Sequence, residues 1–119
     1  MKAVLLVSHG SHSKKTKEEV AATVAALKQK RPAEIIEYAF LEIESPSIPE
    51  GIERCVKQGA SEIIILLNFL NSGKHVDVDI PAIVATVQKK HPAVKIRITK
   101  PIGQHPGIDD LFIDLIKHE

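Results

Sequence analysis

Apolar runs of strand length alternate with segments of helical period from one end of the chain to the other, and few folds accommodate that alternation. Residues 2–7 are β-rich and apolar and predict a buried strand. Val20, Val24 and Leu27 then fall at i, i+4 and i+7, an amphipathic helix over residues 16–27 that Arg31-Pro32 stops. Residues 34–40 predict a second strand. Ser47-Ile48-Pro49-Glu50 has the form of a capping box, opening a helix that runs to Gln58 and ends at Gly59. Residues 62–67 are almost wholly apolar, as a central parallel strand requires. The next helix begins between His75 and Pro81, because proline is tolerated only in a first turn. Ile80, Ile83, Val84 and Val87 form its apolar stripe, and His91-Pro92 ends it. Val94, Ile96 and Ile98 alternate with polar residues, a half-exposed fourth strand. Ile108, Leu111, Phe112, Leu115 and Ile116 fit one face of a last helix.

The order β-α-β-α-β-α-β-α implies an α/β fold with a parallel sheet and helices on both faces. The expectation is a single flavodoxin-like domain over residues 1–119, with strand order 2-1-3-4 and no linker or second domain. A chain of 119 residues with 44% hydrophobic and 26% charged residues can bury a core without disulfides or a structural metal. A net charge of +1 and 3% aromatic residues argue against nucleic acid and against an anionic membrane as partners. The longest apolar run is far short of the roughly 20 residues that span a bilayer. Cys55 is the one cysteine, so internal disulfides and Cys-x-x-Cys motifs are excluded. These features predict a soluble, cytoplasmic protein.

Ligands of such sheets bind beyond the carboxyl ends of the strands, near the point where strand order reverses. The loops there carry Ser8-His9-Gly10-Ser11-His12-Ser13, then Glu42-Ile43-Glu44-Ser45-Pro46, then Asn68 to His75, then Pro101 to Pro106. His9 follows strand 1 directly and His75 follows strand 3, and those strands are expected to be neighbours. Each imidazole suits either a divalent-metal ligand or base, or a plain helix cap. Glu42 and Glu44 compete as a third, carboxylate ligand, or are solvated loop residues. A carboxylate beside two imidazoles would complete a mixed N/O site for a divalent ion with positions left open. Imidazole must be neutral to bind metal, so function should fall in acid. His12 and His105 are surface residues that could line the cleft, and His91 and His118 are surface residues. Cys55 is expected to be a small core hydrophobe, and the Lys14, Lys15, Lys17 cluster a solvated helix start.

At these positions the sequence resembles the short-type class II chelatases of the CbiX kind, the sirohydrochlorin chelatases. The shared markers are Ser8-His9-Gly10-Ser11, Phe40-Leu41-Glu42 with Pro46-Ser47-Ile48, Phe69-Leu70 with Gly73-Lys74-His75, Asp79-Ile80-Pro81, and Pro101-Ile102-Gly103. They occur in order along essentially the whole chain. The resemblance implies insertion of a divalent ion (cobalt first, with iron or nickel as alternatives) into sirohydrochlorin, for cobalamin, sirohaem or coenzyme F430. It implies that His9 and His75 bind the metal and take up pyrrole protons, with Glu42 assisting the metal. Ser45, Leu70, Asn71, Ser72, Gly73 and Lys74 match tetrapyrrole contacts. Ser45 stands where the family often has an acidic residue before the proline, and Asn71-Ser72 is more polar than usual. The metal is a substrate, no organic cofactor is implied, and a chain of this length implies a homodimer. Lys74, His12 and Lys14 are candidates to meet the macrocycle's carboxylates.

Two other readings compete. Ser8, Ser11 and Ser13 around Gly10 at a helix start could cradle a phosphate or a flavin phosphate. A non-catalytic carrier of metal or tetrapyrrole would use the same residues without turnover.

Overall fold

The computed structural model describes residues 1–118. Its strands are β1 (Lys2–Ser8), β2 (Ile35–Phe40), β3 (Glu62–Leu67) and β4 (Lys95–Pro101). They form one parallel sheet in the order β2-β1-β3-β4, as the sequence predicts. The helices are α1 (Lys14–Lys30), α2 (Ile48–Lys57), α3 (Ile80–Gln88) and α4 (Ile108–Lys117). A π turn (His75–Asp79) leads into α3 and a 3₁₀ turn (Ile102–Gln104) follows β4.

Strand alternation sends side chains to two separate cores. Ala3, Leu5, Val7, Ile63, Ile65 and Leu67 face α2 and α3, where they meet Ile48, Ile52, Cys55, Ile80, Val84 and Val87. Val4, Leu6, Ile36 and Phe40 face α1 and meet Val20 and Val24. Helices therefore cover both faces, but unequally. α4 has no buried residue, and its principal neighbour is the 3₁₀ turn ahead of it. The amphipathic helix read from Ile108 to Ile116 does form, without a sheet face to cover.

Other differences from the expected boundaries have simple causes. α1 begins two residues earlier and ends three later than the predicted 16–27, because polar turns at a helix end carry no periodicity. β4 starts at Lys95 and continues through Lys100 to Pro101, a proline that an edge strand tolerates. Pro81 lies near the start of α3 but well inside the continuous helical segment that opens at His75. In a regular α-helix its ring would strike the carbonyl four residues back. Here the Ile80 N–H reaches back five residues to the His75 carbonyl, and this wider turn admits the proline.

The loops at the carboxyl edge are stitched to one another by backbone hydrogen bonds. Leu41 N–H donates to the Ser8 carbonyl at 2.9 Å, Glu42 N–H to His9 at 3.1 Å, and Asn68 N–H to Val7 at 2.9 Å. Gly10 makes this closeness possible. Its φ is +105°, and a Cβ there would lie 1.9 Å from the Glu42 carbonyl oxygen. The capping box of α2 is complete: Ser47 Oγ accepts from Glu50 N–H at 3.3 Å, and Glu50 Oε1 accepts from Ser47 N–H at 2.8 Å. The bond from the Ser47 backbone is the main reason the Glu50 carboxyl is held below its ordinary range.

Three outcomes follow from these contacts. Ser47→Ala should lower unfolding stability by about 1 kcal/mol in a urea titration. The contribution of Glu50 should be present at neutral pH and fade as pH falls through its lowered value. Gly10→Ala should cost more than ~1 kcal/mol, because it combines an unfavourable φ with a backbone collision. It should also displace the Glu42 loop, which a metal titration would register as lost affinity.

Candidate metal centre

His9 emerges where β1 ends, and its position follows from the stitching just described. Its Nδ1 lies 3.1 Å from the Gly10 carbonyl. A carbonyl only accepts, so Nδ1 carries the hydrogen and Nε2 carries the lone pair of the neutral ring. That Nε2 lies 2.8 Å from Glu42 Oε1. A lone pair and a carboxylate oxygen at this distance repel unless a cation lies between them, whether a proton or a metal ion.

His75 opens the π turn and comes to the same place. Its Nδ1 lies 2.9 Å from Asp79 Oδ2, one helical turn further on. The carboxylate accepts from Nδ1, which leaves Nε2 as the ligating atom. The rings of His9 and His75 stand 5.0 Å apart, centroid to centroid, at an interplanar angle of 53°. Among the described residues, donor atoms of His9, Glu42 and His75 all lie within 4.8 Å of one another. Their side chains are about half exposed, at 45%, 50% and 48%. Two imidazoles and one carboxylate on an open edge can hold a divalent ion and leave coordination positions free.

The structure separates the two acidic candidates. Glu42 joins the cluster, whereas Glu44 Oε1 accepts from Ser11 N–H at 2.8 Å and ties the first loop to the second. Between them Ile43 has φ of +72°, and Glu44 N–H donates to the Glu42 carbonyl at 2.8 Å. This is a γ-turn of the left-handed kind, strained for a β-branched residue. It turns the backbone sharply immediately after the ligand. Asn68 Nδ2 donates to Ser8 Oγ at 3.0 Å, joining the ends of β1 and β3 beside the site.

Leu70, Asn71, Ser72, Gly73 and Lys74 form an exposed loop that leads directly into His75. Ser45 is also exposed and precedes a cis Pro46, outside the three-residue cluster. A cleft of about 410 Å³ is lined by Leu41, Glu42, His75, Asp79, Ala82 and Ile83. Ile43, Leu70, Val78 and Ile102 are exposed apolar residues on the same group of loops and turns. Lys14, Lys15 and Lys17 begin α1 with no acidic residue in its first turn, so they face an unfavourable helix dipole.

Asp79 stands among the family markers but without a role read from the sequence, although the His75-x-x-x-Asp79 spacing carries the signal. His91 does more than sit at the surface. Its Nε2 meets Glu53 Oε1 at 2.6 Å, and this bond holds the Glu53 carboxyl below its ordinary range. His105 Nδ1 accepts from Gly107 N–H at 2.8 Å at the entry to α4. Cys55 is fully buried, and desolvation, with Glu37 adding, pushes its thiol up to about 12, so it stays protonated.

Known proteins share both the sequence and this fold. A family model described as CbiX matches residues 3–119. The sirohydrochlorin ferrochelatase of Bacillus subtilis is 37% identical over 98% of this chain, which spans 43% of that protein. The sirohydrochlorin cobaltochelatase of Methanocaldococcus jannaschii is 32% identical, with 96% of each chain covered. The crystal structure of the sirohydrochlorin chelatase SirB from Bacillus subtilis subspecies spizizenii, in complex with cobalt, superposes with a TM-score of 0.89 at 35% identity. That superposition covers 98% of this chain and 50% of SirB. The chain thus spans about half the length of its Bacillus relatives and nearly all of the archaeal one. With its motifs, its sheet order and this breadth of similarity, the chain belongs to the CbiX family of chelatases.

Proposed function

We propose that this chain is a sirohydrochlorin chelatase, inserting a divalent ion into the tetrapyrrole. Cobalt is the first choice of metal, with iron or nickel as alternatives. The observation that carries the reading is the open cluster of His9, Glu42 and His75, each histidine tied at Nδ1. The relatives named for this activity support it, and both cobalt and iron occur in their names.

The stoichiometry suits the residues. Insertion takes one divalent ion into the ring and releases two pyrrole protons. While the ion is held, the Nε2 lone pairs of His9 and His75 are engaged. As it passes into the ring those two lone pairs become free, one for each proton. The protonated rings then repel a returning cation, and their exposure lets the protons pass to water. Glu42 balances the ion's charge before transfer and faces the His9 imidazolium after it. Asp79 is a positioning residue that fixes the tautomer and plane of His75.

The tetrapyrrole would lie over Leu70, Asn71, Ser72, Gly73 and Lys74, against the exposed apolar side chains of the edge. Ser45 lies on the loop after β2 and would touch its rim. Lys14, His12 and Lys74 are suited to its carboxylates. A second copy of the chain would close the other side of so open a cleft, giving a symmetric homodimer. No helix among the described residues is long and apolar enough to cross a membrane. The reducing cytoplasm is the compartment proposed for the reaction.

Anaerobic mixing with sirohydrochlorin and Co²⁺, Fe²⁺ or Ni²⁺, followed by visible spectra, tests the reading. Multiple turnovers above the spontaneous rate are expected, reduced about 100-fold or more in His9→Ala and His75→Ala. Asp79→Asn should weaken metal affinity by about 10- to 100-fold while leaving the fold intact. Both affinity and rate should fall in acid, because protons compete with the metal for imidazole. Tight binding of metal and tetrapyrrole without acceleration would replace the chelatase with a carrier.

A further inference from the structure

Ile43 stands at the tip of the loop after β2, in a backbone conformation that its side chain disfavours. Its φ is +72°, a region that glycine and asparagine enter readily and a β-branched residue does not. The surrounding bonds hold it there. Phe40 N–H donates to the Pro46 carbonyl at 2.8 Å and closes the loop at its base. Glu42 N–H is bonded to the His9 carbonyl, and Glu44 N–H to the Glu42 carbonyl. The Glu44 carboxylate accepts from Ser11 N–H on the far side of the turn. Strain that is over-determined in this way gathers at functional sites.

Folding alone gives no reason for an isoleucine here. Glycine or asparagine would serve the turn better. Burial in a core would offset the strain, but Ile43 is 52% exposed. An unfavourable backbone and an unfavourable exposure thus coincide in one residue.

The position of that residue supplies the reason. Ile43 follows Glu42 in sequence and lies against Gly10, the neighbour of His9: a Cβ built on Gly10 would be 3.6 Å from the Ile43 Cβ. On the other flank, Leu70 precedes His75 and Val78 follows it, at 62% and 56% exposure. β2 and β3 lie on either side of β1, so their loops start about 10 Å apart with His9 between them. Apolar side chains therefore stand on both flanks of three polar donor groups. That pattern matches a conjugated macrocycle, which is apolar over its face and lined by nitrogen at its centre. A branched side chain also has little χ1 freedom, so little entropy is lost when a ligand covers it.

We infer that Ile43 is an apolar contact for the tetrapyrrole, held against the face of the ring by the strained turn, and that this contact is why the turn carries isoleucine. The identity of the ring rests on the chelatase reading above, whereas the strain and exposure of Ile43 stand without it.

Three measurements on the full chain test the inference: a sirohydrochlorin titration of metal-free protein followed by visible absorbance, a Co²⁺ titration without tetrapyrrole, and a thermal melt. Ile43→Asn and Ile43→Gly suit the turn and remove the apolar surface. Both should weaken sirohydrochlorin binding by about 10-fold and leave Co²⁺ affinity within about twofold of the native value. Ile43→Leu keeps an apolar side chain and should bind sirohydrochlorin within about threefold of native protein. Ile43→Asn should melt about 4 °C higher, because the turn is relaxed. Unchanged sirohydrochlorin affinity in the Asn and Gly variants would overturn the contact. Equal losses of Co²⁺ and sirohydrochlorin would overturn it too, by making the residue a support for Glu42. A lower melting temperature for Ile43→Asn would show that the turn is not strained for isoleucine. Native protein that fails to bind sirohydrochlorin would remove the chelatase reading and the contact together, whereas native binding with indifferent variants removes the contact alone.

Discussion

β1 is paired on both edges and packed on both faces, and the site inherits its precision from that confinement. Ala3, Leu5 and Val7 are fully buried on one side, and Val4 and Leu6 are nearly so on the other. Parallel pairing with β2 and β3 runs in register from the first residues of the strand to Val7, and to Ser8 on the β2 side. A one-residue slip would exchange the two apolar sets between cores packed for different side chains, Ala3, Leu5 and Val7 on one face and Val4 and Leu6 on the other, so packing fixes the register. The residue after the strand is His9. Its position is therefore set by the sheet and the loops bonded to it, with no flexible linker between them. β2 and β3 end beside β1, and their next residues are held by N–H donation to Val7, Ser8 and His9. Glu42 and His75 are carried by those same two loops. Three candidate ligands from distant parts of the sequence are thus assembled by backbone hydrogen bonds that any side chains would allow, except at Gly10.

The choice of ligands suits a metal in transit. A thiolate would hold a soft or borderline ion too well, and the one thiol available is buried and kept protonated behind α2. Two imidazoles and a carboxylate, each about half exposed, could hold an ion from one side and leave the other open to a flat ligand. Rigidity comes from the atoms that do not ligate. Gly10 holds Nδ1 of His9 and Asp79 holds Nδ1 of His75, so weak binding does not mean loose geometry. Glu44 contributes in another way, fastening the first loop to the second through Ser11.

The sheet order, the helices and the nearness of His9 to His75 were legible in the sequence because each depends on local pattern plus a topological rule, whereas Glu42 entered ahead of Glu44 only through the family resemblance. β3 has apolar residues at five of six positions, and the Ser47–Glu50 box announces α2. What escaped had no periodic signal. The π turn looks like any helix start until its hydrogen bond to His75 is seen, and Pro81 then explains why the turn is wide. Ile43 in a left-handed γ-turn contradicts the preference of a β-branched residue, so propensity points away from it. The choice between Glu42 and Glu44 hangs on that one turn, which reverses the chain between them. α4 was legible as a helix but not as an unpaired one, because periodicity reports that a face is apolar and not what it meets.

The segment that carries α4 away from its own sheet is bonded to the loop that precedes His75. Gly103 rests on Phe69 and Leu70, and Gln104 bonds to Ser72, so the loop from Leu70 to Lys74 lies between the metal cluster and the root of the helix. A ligand pressing on the loop would bear on the helix through these bonds, and any restraint on the helix would bear on the loop in return. Such coupling is reciprocal wherever it is thermodynamic. The backbone contact at Gly103 is the narrowest point of the connection, since no side chain larger than hydrogen fits there.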